Sequence, residues 1–506
     1  MIKHLINTIF SSLHKPIDKF IEDPWEKQLQ TFNYLISRGN NTFFGQENSF
    51  NKIKTPEDFK KLVPVMGYDD LKPYLDKIIN EKKPNVLWDT PVKWFAMSSG
   101  TTNDKSKYIP VTEESLKNCH YRGGHHMLAL YAKHFPDNAY MFGKALVLGG
   151  SQQVNTIGEG IFTGDVSAVL LKNLPWWAKK RRTPEEISLI PDWDVKLQEL
   201  TDYAINQDIR ALLGVPSWML VLLKKIATDT GKTIPELWPN LEVFFHGGVS
   251  FLPYREQFEK IIPSNEMNYW ETYNASEGFF GIQYAPNSSD LLLLLDSQVY
   301  YEFIPNGDWE KQNPEVLTLN EVELGVKYAM LISTSGGLWR YLLGDTIEFT
   351  SLSPHLFRIT GRTKHFINAF GEEMMIDNAE GALHKACNRT GAKITEYTAA
   401  PVFFGDNNSG AHEWLIEFET LPSDMDLFTH TLDNTLKSLN SDYEAKRSFD
   451  LSLRKPIVKV LPQNFFYKWM QQNERMGGQN KVPRLANNRD YVDSLLKLLS
   501  ESTKIE

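Results

Sequence analysis

The sequence predicts an α/β protein, with a large N-terminal α/β domain that includes a β-barrel-like subdomain and a smaller α+β C-terminal domain. Three observations predict it. Short apolar runs ending in small residues recur at 145–151, 241–248 and 267–278, each reading as a buried strand that enters a turn. Helix-like segments at 112–134 and 195–230 alternate with them, the pattern of helices layered on a sheet. The 506 residues exceed what one hydrophobic core usually fills, so more than one domain is required.

Composition narrows the function classes. With 42% hydrophobic and 23% charged residues the chain has an ordinary globular balance and ample core. A formal charge of −9 leaves no basic surplus to neutralise phosphates, which argues against nonspecific nucleic-acid binding. Two cysteines, Cys119 and Cys387, stand far apart, so neither a disulfide framework nor a zinc site is expected. Residues 1–20 carry Lys3, Lys15 and Lys19, and Asn7, Ser11 and Ser12 interrupt the apolar residues, which is no signal-peptide core. The longest apolar runs, 218–223 and 291–295, are too short to span a bilayer and read as buried helix or strand. A cytoplasmic protein that binds neither membrane nor nucleic acid is expected.

In chain order, residues 17–87 read as helical scaffold, with Thr55-Pro56-Glu57-Asp58 a capped helix start. Next, between the apolar run 94–97 and a helix beginning near Thr112, comes Ser98-Ser99-Gly100-Thr101-Thr102-Asn103-Asp104-Lys105-Ser106-Lys107. Small hydroxyl residues beside a glycine let backbone N–H groups converge on an anion, and Lys105 and Lys107 supply charge for outer phosphates. A polar surface loop has the same composition, and the Gly-Lys-Ser/Thr ending of a Walker loop is missing. The segment 112–134 places Leu116, Met127, Leu130 and Tyr131 at apolar positions and also holds Tyr121, Arg122, His125 and His126; a structural helix with its polar groups facing water accounts for it. The cluster Lys179-Lys180-Arg181-Arg182 reads as a solvated loop.

Residues 195–230 read as helical with a break at Gly214-Val215-Pro216-Ser217, and the next strand ends in Gly247-Gly248. Another runs into Tyr273-Asn274-Ala275-Ser276-Glu277-Gly278, where Glu277 is either a Mg2+ ligand or a turn glutamate. Strand-like segments between 298 and 357 suggest a distorted barrel. Within them Asp345 follows Gly344, either an acceptor for ribose hydroxyls or a turn aspartate. Polar residues and a glycine at 359–368 mark a linker, which sets domains at 1–363 and 364–506. In the second, 413–418 reads as a strand, 424–439 as a helix, and Lys481 lies on the loop Gly477-Gly478-Gln479-Asn480-Lys481-Val482-Pro483-Arg484.

Five stretches, 98–107, 273–278, 341–345, 361–364 and 477–484, occur in the order found in acyl-adenylate-forming enzymes, and the chain most resembles the Gretchen Hagen family of auxin-responsive acyl acid amido synthetases. Ser98-Ser99-Gly100-Thr101-Thr102, Tyr273-Asn274-Ala275-Ser276-Glu277-Gly278, the Trp238-Pro239-Asn240-Leu241 approach to Gly247-Gly248-Val249-Ser250-Phe251, and Gln479-Asn480-Lys481-Val482-Pro483-Arg484 look like its signatures. The resemblance implies ATP and Mg2+ as cofactors and a mobile C-terminal domain. It places Ser98, Ser99, Gly100, Thr101, Thr102 and Lys107 on the phosphates, Asn274, Ala275, Ser276 and Glu277 about the α-phosphate and Mg2+, and Tyr273 with Gly247 and Gly248 about adenine. It gives the ribose to Asp345 and Arg362, the hinge to Lys364, catalysis to Lys481 and Glu277, and the acyl acid to Tyr121 and Arg122. Asp104 departs from the family, which usually has glycine there. The implied reaction joins a small carboxylic acid to an amino acid through an adenylate on a monomeric enzyme. An acyl-CoA ligase and a non-catalytic nucleotide-binding regulator are the alternatives.

Overall fold

The computed structural model describes residues 14–99, 106–149, 154–158, 160–190, 192–249, 251, 254–264, 266–309, 311, 313–363, 366–404, 409–447, 453–472 and 483–502. It divides into two compact units, Met1–Ser98 with Tyr108–Phe251 and Gln257–Thr363, and Ser99–Lys107 with Leu252–Glu256 and Lys364–Glu506.

The first unit is built on an eleven-stranded sheet. In chain order its strands are β1 (Lys144–Leu148), β2 (Ile209–Gly214), β3 (Val243–Gly247), β4 (Asn268–Ala275), β5 (Gly278–Gln283), β6 (Leu291–Leu293), β7 (Val299–Pro305), β8 (Leu317–Thr318), β9 (Lys327–Thr334), β10 (Tyr341–Leu352) and β11 (His355–Arg362). The spatial order is β8-β7-β9-β10-β11-β6-β5-β4-β3-β2-β1. Strands β1 to β4 pair in parallel and the rest antiparallel. The strands expected around 298–357 are present, but among the described residues they continue the parallel half in one open sheet rather than closing a barrel of their own.

Two sequence readings are corrected. The helical reading of 195–230 fails at Ile209–Gly214, which is β2; the helices are Trp193–Ala204 and Pro216–Thr230. Strand β2 lies between two parallel neighbours and buries Ile209, Ala211 and Leu212, so it lacks the strict alternation that marks a half-buried strand in sequence. The linker reading of 359–368 fails at its start, because β11 runs on to Arg362. Other signals hold. Thr55 and Asp58 form the expected capping box at the helix Pro56–Leu62, and Pro216 opens and Gly231, at φ +65°, ends the helix Pro216–Thr230.

The core of this unit is rich in rings: Tyr131 meets Phe245 and Trp270 with centroids 5.4 Å away in each case, and Trp339 packs on Phe50 at 4.8 Å. Arg340 and Glu302 form a charge pair sealed inside, Arg340 Nε donating to Glu302 at 2.9 Å.

The second unit carries a three-stranded sheet, β12 (Lys393–Val402), β13 (Ala411–Thr420) and β14 (Ile457–Leu461), with β13 central. The expected strand at 413–418 lies within β13. The expected helix is Met425–Leu439, with the Asp424 carboxylate accepting from Leu427 N at 2.9 Å. Phe465, Phe466, Trp469, Val492 and Leu495 pack on this sheet as its core. His412 and Glu372 make a fully buried pair at 2.7 Å. Among the described residues no helix is long and apolar enough to cross a membrane.

Candidate active site

The hairpin of β10 and β11 sets Asp345 directly opposite Arg362. Gly344, at φ +92°, turns the chain just before Asp345. One Asp345 oxygen accepts from Arg362 Nε at 2.6 Å, and the other accepts from the Tyr273 hydroxyl on β4. A carboxylate offers about four acceptor positions, so two remain for hydroxyl groups of a ligand. The Tyr273 ring is buried, edge-on to Phe280 at 5.2 Å and beside Phe357 at 6.2 Å. Burial first, then the Asp345 charge, holds its phenol well above the ordinary tyrosine range, so it stays a neutral donor.

Strand β4 ends in the turn that holds Ser276, buried, and Glu277, half-buried, before β5 begins. The Glu277 charge reaches Tyr273 and adds to the rise of its phenol. Beside β4, Gly247 at the end of β3 lies against Thr272, where a Cβ would collide with the Thr272 carbonyl oxygen. Gly248 follows at φ +83°. Gly247 thus permits the close approach of β3 to β4, and Gly248 the left-handed turn that follows.

The helix after the first motif packs on the same strands. It begins as a π turn, Leu116–His120, and continues as Tyr121–His134. Gly123 lies so close to Phe279 of β5 that a Cβ there would enter the ring, and Phe279 N donates to Cys119 Sγ at 3.3 Å. His120 Nδ1 meets Asn274 Oδ1 at 3.3 Å, which ties the helix to the 273–278 motif. Burial pushes His120 down to about 4, so its ring is neutral near neutral pH. Tyr121 donates its hydroxyl to Leu170 O at 2.9 Å. Arg122 pairs with Asp296 at 3.3 Å, and His126 takes the other Asp296 oxygen at 2.9 Å.

Tyr273, Asp345 and Arg362 thus meet at one carboxylate, with Asn274, Ala275, Ser276 and Glu277 following on the same strand and turn. Gly247 and Gly248 adjoin them on the neighbouring strand. Tyr121 lies one residue beyond His120, while the Arg122 charge is engaged by Asp296. Ser98 and Ser99 end the strand Trp94–Ser99, and Lys107 lies on the strand Ser106–Val111. Gly100, Thr101, Thr102, Lys364 and Lys481 lie outside the described residues. Two participants escaped the sequence reading. Asp296 is 174 positions from Arg122 and His120 has no motif of its own, so nothing local announced either.

Comparison with known proteins bears on the whole chain. A family model described as the GH3 family N-terminal domain matches residues 13–199 and 193–267, the GH3 family central domain matches 292–362, and the GH3 family C-terminal domain matches 377–490. The chain belongs to the GH3 family. The resemblance read from its motifs is therefore borne out. A GH3 relative from Arabidopsis thaliana, indole-3-acetic acid-amido synthetase GH3.4, is 23% identical over 96% of this chain and 92% of its own. Jasmonoyl–L-amino acid synthetase JAR6 of Nicotiana attenuata is 22% identical over 96% of both chains. A solved GH3.15 acyl acid amido synthetase in complex with 2,4-DB superposes with TM-score 0.60 at 19% identity, covering 93% of each chain. A 2-hydroxyisobutyryl-CoA ligase shares the fold at TM-score 0.54 and 14% identity, over 95% of this chain and 93% of the other. The expected α/β architecture is borne out with them.

Proposed function

We propose that this chain is an ATP-dependent acyl acid amido synthetase, which adenylates a small carboxylic acid and passes the acyl group to an amino acid amine, releasing AMP and pyrophosphate. One observation carries the reading: Tyr273 and Arg362 converge on Asp345 in a chain whose named GH3 relatives are amido synthetases along nearly its full length.

In this reading Asp345 accepts from the ribose hydroxyls while Arg362 and Tyr273 hold it still. Gly247 and Gly248 expose a backbone edge to adenine. Ser98, Ser99, Gly100, Thr101, Thr102 and Lys107 receive the phosphates, with Asn274, Ala275 and Ser276 near the α-phosphate. The acid's carboxylate attacks the α-phosphorus in line, and Lys481 neutralises the charge that grows there. No side-chain nucleophile is required, because the work is positioning two anions. The domain 364–506 turns on Lys364 as a mobile cap that excludes water while the anhydride waits for the amine.

Mg2+ fits the residues present. Glu277 is a half-buried carboxylate in the turn after β4, an oxygen donor of the kind this cation takes. Glu277 would supply that carboxylate, and the ion would offset phosphate charge. The reading has the enzyme work in the cytoplasm, as a monomer, without nucleic acid or membrane.

The test is ATP–pyrophosphate exchange across a panel of carboxylic acids, followed by mass detection of products when the best acid is supplied with an amino-acid mixture or with coenzyme A. Acid-dependent exchange and an amide are expected. No exchange with any acid removes the adenylation reading, whereas a thioester without amide makes the chain an acyl-CoA ligase.

A further inference from the structure

Two consecutive residues of the π turn grip the hairpin that carries Ser276 and Glu277. Tyr121 N closes that turn on Leu116 O, five residues back, and the last two residues it encloses, Cys119 and His120, are both buried. Cys119 Sγ accepts from Phe279 N at 3.3 Å, and His120 Nδ1 faces Asn274 Oδ1 at the same distance. Asn274 and Phe279 are themselves partners across β4 and β5, so the two contacts close on the base of the turn 275–278. Gly278 completes the fit, since a Cβ there would meet the Phe280 ring at 2.8 Å and Cys119 Sγ at 3.2 Å.

The ladder is irregular at this point. Tyr273 pairs with Gly281, but the next residue, Asn274, pairs with Phe279, so β5 carries one residue more than β4. A bulge of this kind interrupts the backbone ladder and re-aims the strand beyond it, which here leads to Ala275, Ser276 and Glu277. The Asn274 amide is set at the same place. A carbonyl oxygen only accepts, so the His120 nitrogen facing it carries the hydrogen of the neutral ring and donates. With its oxygen turned to His120, the amide directs its Nδ2 hydrogens the opposite way.

We propose that Cys119 and His120 are positioning residues for the α-phosphate of the nucleotide: the clasp fixes the turn 275–278, and His120 orients Asn274 so that its N–H groups donate to an α-phosphate oxygen. The proposal rests on the amido synthetase reading, and it adds to that site two residues that lie outside its motifs. The physical reason is one of sign. An amide N–H turned to a phosphate oxygen makes a charge-assisted hydrogen bond, whereas an amide left free to turn its carbonyl oxygen there repels the same group.

The test compares AMP with adenosine, which differ only in the phosphate, in calorimetric binding to the full-length protein. Wild type is expected to bind AMP more tightly. In His120→Ala that advantage should shrink by about 10-fold with adenosine affinity unchanged, the scale of a charge-assisted hydrogen bond. Asn274→Ala should lose as much, and the double variant no more than either single, because His120 acts through Asn274. His120→Asn, which can keep an N–H near the Nδ1 position, should restore part of the advantage, and Cys119→Ala should reduce it. His120→Phe is read in the same way if the alanine variant does not fold. Wild-type protein with no preference for AMP, equal loss of AMP and adenosine affinity in His120→Ala, or additive losses in the double variant each overturns the inference while leaving adenylation to the exchange assay. Wild-type protein that binds neither compound, with no exchange for any acid, removes the adenylation reading and this inference with it.

Discussion

Asp345 holds two donors that lie 72 positions before it and 17 after it, and replacing it tests whether they serve a ligand. Asp345→Asn keeps the shape but removes the charge and presents an N–H to Arg362 or Tyr273. ATP KM in the exchange assay is expected to rise about 10–100-fold, the scale of losing a charge-assisted hydrogen bond. An unchanged ATP KM would return Asp345 to a structural role. Lys481→Ala is expected to lower adenylate formation by roughly 100–1,000-fold with ATP binding preserved, the usual scale for a lost transition-state contact. Wild-type exchange in that variant takes Lys481 out of the mechanism. Asp345, Arg362 and Tyr273 were each legible from a motif. Their meeting at one carboxylate was not, because it depends on strands β4, β10 and β11 lying in one sheet.

The helix Tyr121–His134 and its π turn are held to β5 by contacts that leave no room. Gly123→Ala drives a Cβ into the Phe279 ring, an overpacking that costs about 1–3 kcal/mol. The variant is expected to melt at lower temperature than wild type and to show a raised KM for the acid, since Tyr121 rides on the same helix; identical melting curves would contradict the packing described. His120 adds a pH dependence. Its folded value is about 4, against an ordinary value near 6.5, so between those limits the unfolded chain takes up a proton that the folded chain refuses. Its contribution to stability is present above about pH 6.5 and is lost progressively as the pH falls toward 4. His120→Gln should flatten the fall of the melting temperature across that window, whereas an equal slope in both proteins would show that His120 does not titrate differently on folding. Elements with caps or strong periodicity, such as Pro56–Leu62 and Met425–Leu439, were readable in sequence. Strand β2 was not, because burial between neighbours erases its period of two.

Each compact unit contains one of the two cysteines, which makes the unfolding of each separately visible. Cys119 is buried and its thiol is pushed up to about 12 by burial, while Cys387 on the helix Ile376–Thr390 is half-buried and raised less. The thiolate is the reactive form, so iodoacetamide at about pH 8 is expected to modify Cys387 in the native protein and to reach Cys119 only through the denaturant transition of the first unit. Modification of Cys119 first would contradict its burial beneath β5.

The order of its motifs, the alternation of apolar runs with helical segments and the length of the chain were enough to identify an α/β fold and the GH3 family, because each is written in residue types and local spacing. Three-dimensional packing alone assigned the charges. It gave Arg122 to Asp296 and joined the late antiparallel strands to the early parallel ones in a single sheet. The physical reason is that an arginine's partner is chosen by what lies within a few ångströms after folding, and the carboxylates it meets or lacks stand at distances along the chain that no local pattern records.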